Sequence, residues 1–135
     1  MSNRRRPARA NTYRSGYLQS VAWFTRRSRW FRNEAAINGA VRCAVCCGRG
    51  TTRTLELHHL SYDGVAFVDG QWVANEAHAD LVAAHREHHA LIHQLIDRDP
   101  VLRDHRSRRA ANTEALRRLR RRLAQNLRAA FGLAA

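Results

Sequence analysis

Residues 43–93 hold C-A-V-C at 43–46, L-E-L-H-H-L at 55–60 and H-R-E-H-H at 85–89, followed by His93. Seven of the eight histidines of the chain lie between positions 58 and 93. Neutral imidazoles and thiolates are the ligands that zinc prefers. Histidine is costly to bury without a partner and adds little to an apolar face, so core packing explains the pattern poorly. The stretch therefore predicts metal binding and marks the candidate functional site.

The charge of the chain is unevenly distributed. Its 135 residues, enough for one domain with a modest core, carry a net charge of +13, and all 24 basic residues are arginine. Residues 1–53 hold twelve arginines and one acid, and residues 98–135 hold eleven arginines and three acids. Residues 54–97, with the histidine motifs, hold one arginine and seven acids. The basic flanks are typical of phosphate-binding proteins, with solvated surface charge as the alternative, and the acidic middle suits a bound cation.

Cysteine use and hydropathy restrict the class of protein. The chain has three cysteines, two of them in C-x-x-C, which favours a metal site in a reducing compartment over a disulfide framework. No apolar run approaches the roughly 18 residues of a membrane span. A secretory signal has an apolar segment after its basic residues, and the Arg-rich N-terminus of this chain is not followed by one. We expect a soluble, intracellular protein without a membrane partner.

The hydrophobic pattern predicts a mixture of helices and strands. Residues 1–15 have no apolar periodicity and are expected to form a disordered basic arm. Residues 16–37 have helical spacing, in one helix or in two with a break near Ser28, and Asn38-Gly39 ends the pattern. The later elements are expected to be a strand at 54–60, a hairpin at 65–74 with an Asp69-Gly70 turn, a helix at 81–96, and an Arg-rich, leucine-striped helix from the N-cap Asn112 to Gly132.

The chain contains three motifs in the order C-x-x-C, L-E-L-H-H-L-S-Y and D-L-x-x-x-H-x-x-H-H-x-x-x-H. Together they closely resemble the motifs of the HNH endonuclease family, over roughly residues 17–96. The resemblance implies an α+β fold: a small ββα-metal (His-Me finger) core stapled by a zinc knuckle, with flanking N- and C-terminal helices. It divides the chain into a basic arm at 1–15, an HNH nuclease domain at 16–99 and an Arg-rich helical extension at 100–135. It also implies a cytoplasmic protein, bacterial or phage-encoded.

The resemblance assigns roles to the histidines of the candidate catalytic site. His58 matches the family's metal-ligating residue, and His59 matches its general base. His89 and His93 match further ligands of the catalytic metal. His89 and His93 are four residues apart, so they are expected to project from the same face of a helix.

Two acidic residues are expected to support these histidines. Asp80 stands where the family has the asparagine of its name, and the resemblance implies that it orients His59 or binds the metal through water. Glu56 lies two residues before His58, and we expect it to pair with an arginine and to support the metal ligands.

The resemblance also implies a structural zinc site. The two C-x-x-C pairs of the family correspond here to Cys43 with Cys46 and to His85 with His88. A tetrahedral shell of two cysteines and two histidines is a standard zinc site, so the two replacements are chemically compatible. Cys47 is expected to be a bystander.

The implied function is metal-dependent hydrolysis of DNA phosphodiester bonds, by nicking or by double-strand cutting. His59 would take a proton from water, with Mg²⁺ or another divalent transition metal as the catalytic ion. The protein is expected to be a monomer or homodimer. Two alternatives stay open: a non-catalytic zinc-knuckle DNA-binding protein that retains the HNH fold, and a basic RNA-binding protein. DNA contacts are expected from Arg4, Arg5, Arg6, Arg117, Arg118, Arg121 and Arg122.

Overall fold

The computed structural model describes residues 15–132. Its structure is α+β, and its four strands form two antiparallel, two-stranded sheets. All but the last residue of the expected basic arm at 1–15 lies outside the described residues. The elements in chain order are α1 (Val21–Asn38), β1 (Leu55–His59), β2 (Val65–Val68), β3 (Gln71–Ala74), a 3-10 turn (His78–Asp80), β4 (Leu81–His85), α2 (Arg86–Arg98), α3 (Pro100–Asp104) and α4 (Arg108–Ala130).

Helix α1 is continuous, without a break at Ser28. Ser20 caps its N-terminus by accepting a hydrogen bond from the backbone N–H of Trp23, and Gly39 ends it in the left-handed conformation. Trp23 and Trp30, seven residues apart, are both buried against the core. The helix predicted at 16–37 is therefore confirmed at its end, but it begins later, at Val21, after the Ser20 cap. Its tryptophans are part of the hydrophobic core.

Strands β1 and β4 form the sheet that carries the histidine pair. Their register places His58 opposite Val82 and His59 opposite Leu81. The helix predicted at 81–96 is therefore wrong in its first five residues, because Leu81–His85 is a strand and the helix starts at Arg86. A short apolar run fits a buried strand and a buried helix equally well, and here the backbone groups of β1 supply the partner.

The predicted β2–β3 hairpin is confirmed. Val68 and Gln71 are directly paired, which leaves Asp69 and Gly70 as a two-residue turn with φ angles of 51° and 75°. Positive φ at both positions is what a primed hairpin turn requires, and glycine adopts it without steric cost.

The C-terminal helix begins earlier than predicted. Ser107, not Asn112, is the N-cap of α4, and its hydroxyl accepts a hydrogen bond from the backbone N–H of Ala110. Asn112 lies inside the helix and is fully buried. Leu116 and Leu119 of the predicted stripe join the core that also holds residues of α1, β1, β4 and α2, whereas Leu127 is half exposed near the free end.

Within residues 15–132, no helix is both long enough and apolar enough to cross a bilayer.

Candidate metal centres

Four predicted ligands lie together beside the end of β4. Cys43, Cys46, His85 and His88 each place one ligand atom within 4.8 Å of the others. Cys43 Sγ lies 3.4 Å from His88 Nδ1, and Cys46 Sγ lies 3.3 Å from His85 Nδ1. Zinc bonds of about 2.3 Å to sulfur and 2.0–2.1 Å to nitrogen, at tetrahedral angles, put such atoms about 3.5 Å apart. We name Cys43, Cys46, His85 and His88 the four-ligand cluster, and its geometry can hold a metal ion.

Backbone N–H groups point at the sulfur atoms of Cys43 and Cys46. The backbone N–H groups of Val45 and His85 point at Cys43 Sγ from 3.4 Å, and the N–H of Gly48 points at Cys46 Sγ from 3.3 Å. Such donors stabilise negative charge on sulfur. Burial raises the pKa of the Cys46 thiol, so a cation is needed to favour its ionised form. Exposed Cys47, with φ 63°, lies outside the cluster.

Three other predicted ligands meet at a second point. His58 of β1 and His89 and His93 of α2 each place a ring nitrogen within 4.8 Å of the other two. His89 Nε2 lies 3.1 Å from His58 Nδ1 and 3.1 Å from His93 Nε2. Two nitrogens bound to one ion at about 2.0–2.1 Å, with angles of 90–110°, are about 2.9–3.4 Å apart. We name His58, His89 and His93 the histidine triad.

The outer nitrogens of two triad members are held by other side chains. His89 Nδ1 lies 2.9 Å from Glu56 Oε1, so the carboxylate accepts the Nδ1 proton and leaves Nε2 as the ligand atom. Glu56 was expected to pair with an arginine, and its hydrogen-bond partner is instead His89. His58 Nε2 contacts Asn112 Oδ1. Burial, partly offset by the Asn112 hydrogen bond, lowers the pKa of His58 to about 2 and keeps it in the neutral form that binds metal.

His59, the predicted general base, is hydrogen-bonded to Glu76, a residue that the sequence did not single out. Its Nε2 donates to Glu76 Oε2 over 2.8 Å, and both side chains are almost fully buried. Its ring stacks on Tyr62, with 4.2 Å between centroids and 9° between planes. Trp23 covers it from α1, 4.8 Å away. These contacts hold the ring in one orientation.

Glu76 lies in the segment between β3 and the 3-10 turn, and it is 3% exposed. Its Oε2 also accepts a 2.6 Å hydrogen bond from the hydroxyl of Tyr17, and Arg26 donates to its backbone carbonyl. Burial by itself would raise the pKa of the Glu76 carboxyl, but the hydrogen bonds from His59 and Tyr17 outweigh it and lower the pKa. Glu76 is therefore ionised at neutral pH. No local motif marks it, because its partners are 17 and 59 residues away.

Asp80, which was expected to orient His59 or to bind the metal through water, is paired with an arginine of α4. Both oxygens of its carboxylate accept hydrogen bonds from Arg109, over 2.9 to 3.2 Å. The carboxylate hydrogen-bonded to His59 Nε2 is that of Glu76. Asp80 instead ties the start of β4 to the first turn of α4, and this ion pair raises the pKa of Arg109.

An open cleft of about 310 Å³ joins the histidine triad to His59. Arg108, the first residue of α4, also lines this cleft, although no motif in the sequence marks it. Its guanidinium lies 4.7 Å from the centre of the Tyr62 ring and donates a 3.0 Å hydrogen bond to the backbone carbonyl of His59. The other lining residues are Leu18, Leu57, Tyr62 and Asp97.

The predicted DNA-binding arginines separate into three groups. Arg4, Arg5 and Arg6 lie outside the described residues. Arg117 pairs with Glu114 over 2.6 Å, and Arg118 pairs with Glu114 and with Asp99. The two guanidinium groups lower the pKa of Glu114 to about 2. Arg121 and Arg122 are exposed and form no ion pair with any of residues 15–132.

Comparisons of the chain with protein-family models, with curated proteins and with solved structures each gave no match.

Proposed function

We propose that this protein is a metal-dependent endonuclease of the HNH type that hydrolyses DNA phosphodiester bonds. In this proposal β1, β4 and α2 form the ββα-metal core, and the four-ligand cluster is its zinc knuckle. The observation that carries the proposal is the pairing of His59 with the buried carboxylate of Glu76 in the same cleft as the histidine triad. A protein that only binds nucleic acid has no need of an oriented, carboxylate-paired histidine beside a second metal centre.

His59 acts as the general base. Because the ionised carboxylate of Glu76 accepts the proton of Nε2, Nδ1 is the nitrogen that can take a proton from water. Glu76 then stabilises the imidazolium that forms, since a buried carboxylate 2.8 Å away favours a positive charge on the ring. Stacking on Tyr62 keeps the ring from rotating out of this position.

The histidine triad holds the catalytic divalent ion, and three neutral protein ligands leave room for oxygen ligands. When bound, such an ion would supply positive charge to neutralise the phosphate and the departing oxygen. Arg108 supplies a fixed positive charge in the same cleft. A guanidinium in this position binds a non-bridging phosphate oxygen of the scissile group and favours the extra negative charge of the transition state.

The four-ligand cluster holds zinc in a structural role. Two thiolates and two imidazoles saturate a tetrahedral ion and leave no position for substrate. The ligands come from the loop before β1 and from the junction of β4 and α2. A zinc ion held by these four residues would link the two segments and restrain α2, which carries His89 and His93.

Plasmid nicking across metals tests this function directly. We expect purified protein to relax supercoiled DNA with Mg²⁺, Mn²⁺, Ni²⁺ or Zn²⁺ and to stop when the ion is chelated. His59→Ala should lower the single-turnover rate by about 100–10,000-fold, the usual contribution of a positioned base. His105→Ala is the matched control, since His105 is exposed and outside both metal clusters. Near-normal cleavage by a folded His59→Ala protein would favour the non-catalytic DNA-binding alternative.

A further inference from the structure

Asn112 is a polar side chain buried where a helix would ordinarily present an apolar one. It is 0% exposed and lies between the core residues Ala111 and Ala115 of α4. Burying an amide is favourable only when its donors and acceptors are satisfied. Its partners therefore show what holds it there.

The hydrogen bonds of Asn112 fix the orientation of its amide. Nδ2 donates to the backbone carbonyl of Arg108 over 2.8 Å and faces the carbonyl of Leu60 at 3.5 Å. Carbonyl oxygens only accept hydrogen bonds, so the NH₂ group must point at them and Oδ1 must point at His58. Oδ1 also only accepts, so His58 Nε2 has to carry a proton.

A proton on Nε2 leaves Nδ1 of neutral His58 with its lone pair. Nδ1 is the atom that faces His89 Nε2 at 3.1 Å. Glu56 sets the same arrangement on His89, whose proton lies on Nδ1 and whose lone pair lies on Nε2. Two lone pairs 3.1 Å apart repel each other unless a cation lies between them.

We propose that Asn112 is a positioning residue of the metal centre, which fixes the tautomer of His58 so that Nδ1 is the ligand atom. This inference rests on the proposed function, because it assumes that the histidine triad binds a divalent ion. It makes α4 an integral part of the site, although α4 lies outside the stretch that carries the metal-binding motifs.

Two neighbours of Asn112 on the first turns of α4 hold the same region. Arg108 donates to the carbonyl of His59, and Arg109 binds the carboxylate of Asp80. The start of α4 is thus tied to the end of β1 and to the start of β4 at once. This anchoring keeps Asn112 Oδ1 in contact with a ring that belongs to another element.

Metal affinity separates this role from ordinary packing. Protein with one zinc in the four-ligand cluster is titrated with Ni²⁺ by calorimetry. Asn112→Leu, which keeps the branched shape of the side chain but removes the acceptor, should weaken Ni²⁺ binding at the triad by about 10–100-fold. Asn112→Asp restores an acceptor at the same place and should recover most of the affinity. Asn126→Leu, on the exposed part of the same helix, should leave it unchanged.

Two outcomes of the titration would overturn the inference in different ways. Ni²⁺ affinity that is unchanged in a folded Asn112→Leu protein would refute the role of Asn112 and leave the proposed function standing. A wild-type protein that binds no second ion would refute the catalytic metal centre and this inference together. Melting curves and zinc content report whether each variant is folded.

The tautomer of His58 can also be measured without any substitution. In ¹⁵N-labelled wild-type protein with zinc only in the four-ligand cluster, long-range ¹H–¹⁵N correlation should show His58 protonated at Nε2. This result would support the assignment even if Asn112→Leu failed to fold. Protonation at Nδ1 would overturn it, because the Asn112 acceptor would then not control the ligand atom.

Discussion

Replacement of Glu76 by glutamine removes the negative charge that lies beside His59, the proposed general base. The amide has nearly the same volume as the carboxyl group, and its oxygen can accept the hydrogen bonds that Oε2 now takes from Tyr17 and His59. The NH₂ group would replace Oε1, which has no hydrogen-bond partner among residues 15–132. A buried, unpaired NH₂ group should lower the stability by about 1–3 kcal/mol and leave the fold intact.

The expected effect on cleavage follows from the distance between the two charges. Nε2 and Oε2 are 2.8 Å apart. Because each charge is spread over its group, their centres are about 4–5 Å apart, and an effective dielectric constant of about 20 gives an attraction of about 3–4 kcal/mol. Glu76→Gln removes this attraction from the imidazolium that forms in the reaction. The rate should therefore fall by about 100–1,000-fold.

Single-turnover nicking of a supercoiled plasmid at saturating metal measures this loss. Glu87→Gln is the matched control, since Glu87 is exposed and lines neither the cleft nor a metal cluster. A melting curve shows that the variants are folded at the assay temperature. If folded Glu76→Gln cut within about threefold of the wild-type rate, the carboxylate would not act on His59, and the base would have to be sought elsewhere.

The remaining predictions concern the zinc and the DNA. Purified protein should contain one tightly held zinc. Structural zinc contributes about 10–16 kcal/mol, which is comparable to the net stability of about 5–15 kcal/mol of a typical domain, so Cys43→Ser should abolish the cooperative melting transition. Cys47→Ser should melt as the wild type does, and an unchanged transition in Cys43→Ser would contradict the zinc staple. Arg121→Gln with Arg122→Gln should weaken DNA binding and reduce the slope of log affinity against log salt by about 0.9 for each lost phosphate contact. The pair Arg117→Gln and Arg118→Gln should change the slope less, because those guanidiniums are already paired with Glu114 and Asp99; equal slopes for the two double variants would refute this distinction.

Residue types and spacing marked the metal-binding stretch, and the resemblance to the HNH family divided its ligands into two sets, each of which lies together in the structure. Cys43 with Cys46, and His89 with His93, are spaced so that a turn or a helix brings them together without any long-range contact. The hairpin turn was equally predictable, since Asp-Gly suits positive φ at two successive residues. The boundary between β4 and α2 was not predictable from local pattern, because the run from Leu81 to His85 becomes a strand only through its pairing with β1.

The sequence by itself determined which residues could bind metal and how α1, the hairpin and most of α2 form, because spacing along the chain controls those features. Only the tertiary structure decided which side chains orient them. Glu76 holds His59, Glu56 holds His89, and Asn112 contacts His58. These pairs are 17 to 54 residues apart in the chain. Buried polar atoms must find partners wherever packing brings them, and packing distances leave no periodic trace in a sequence.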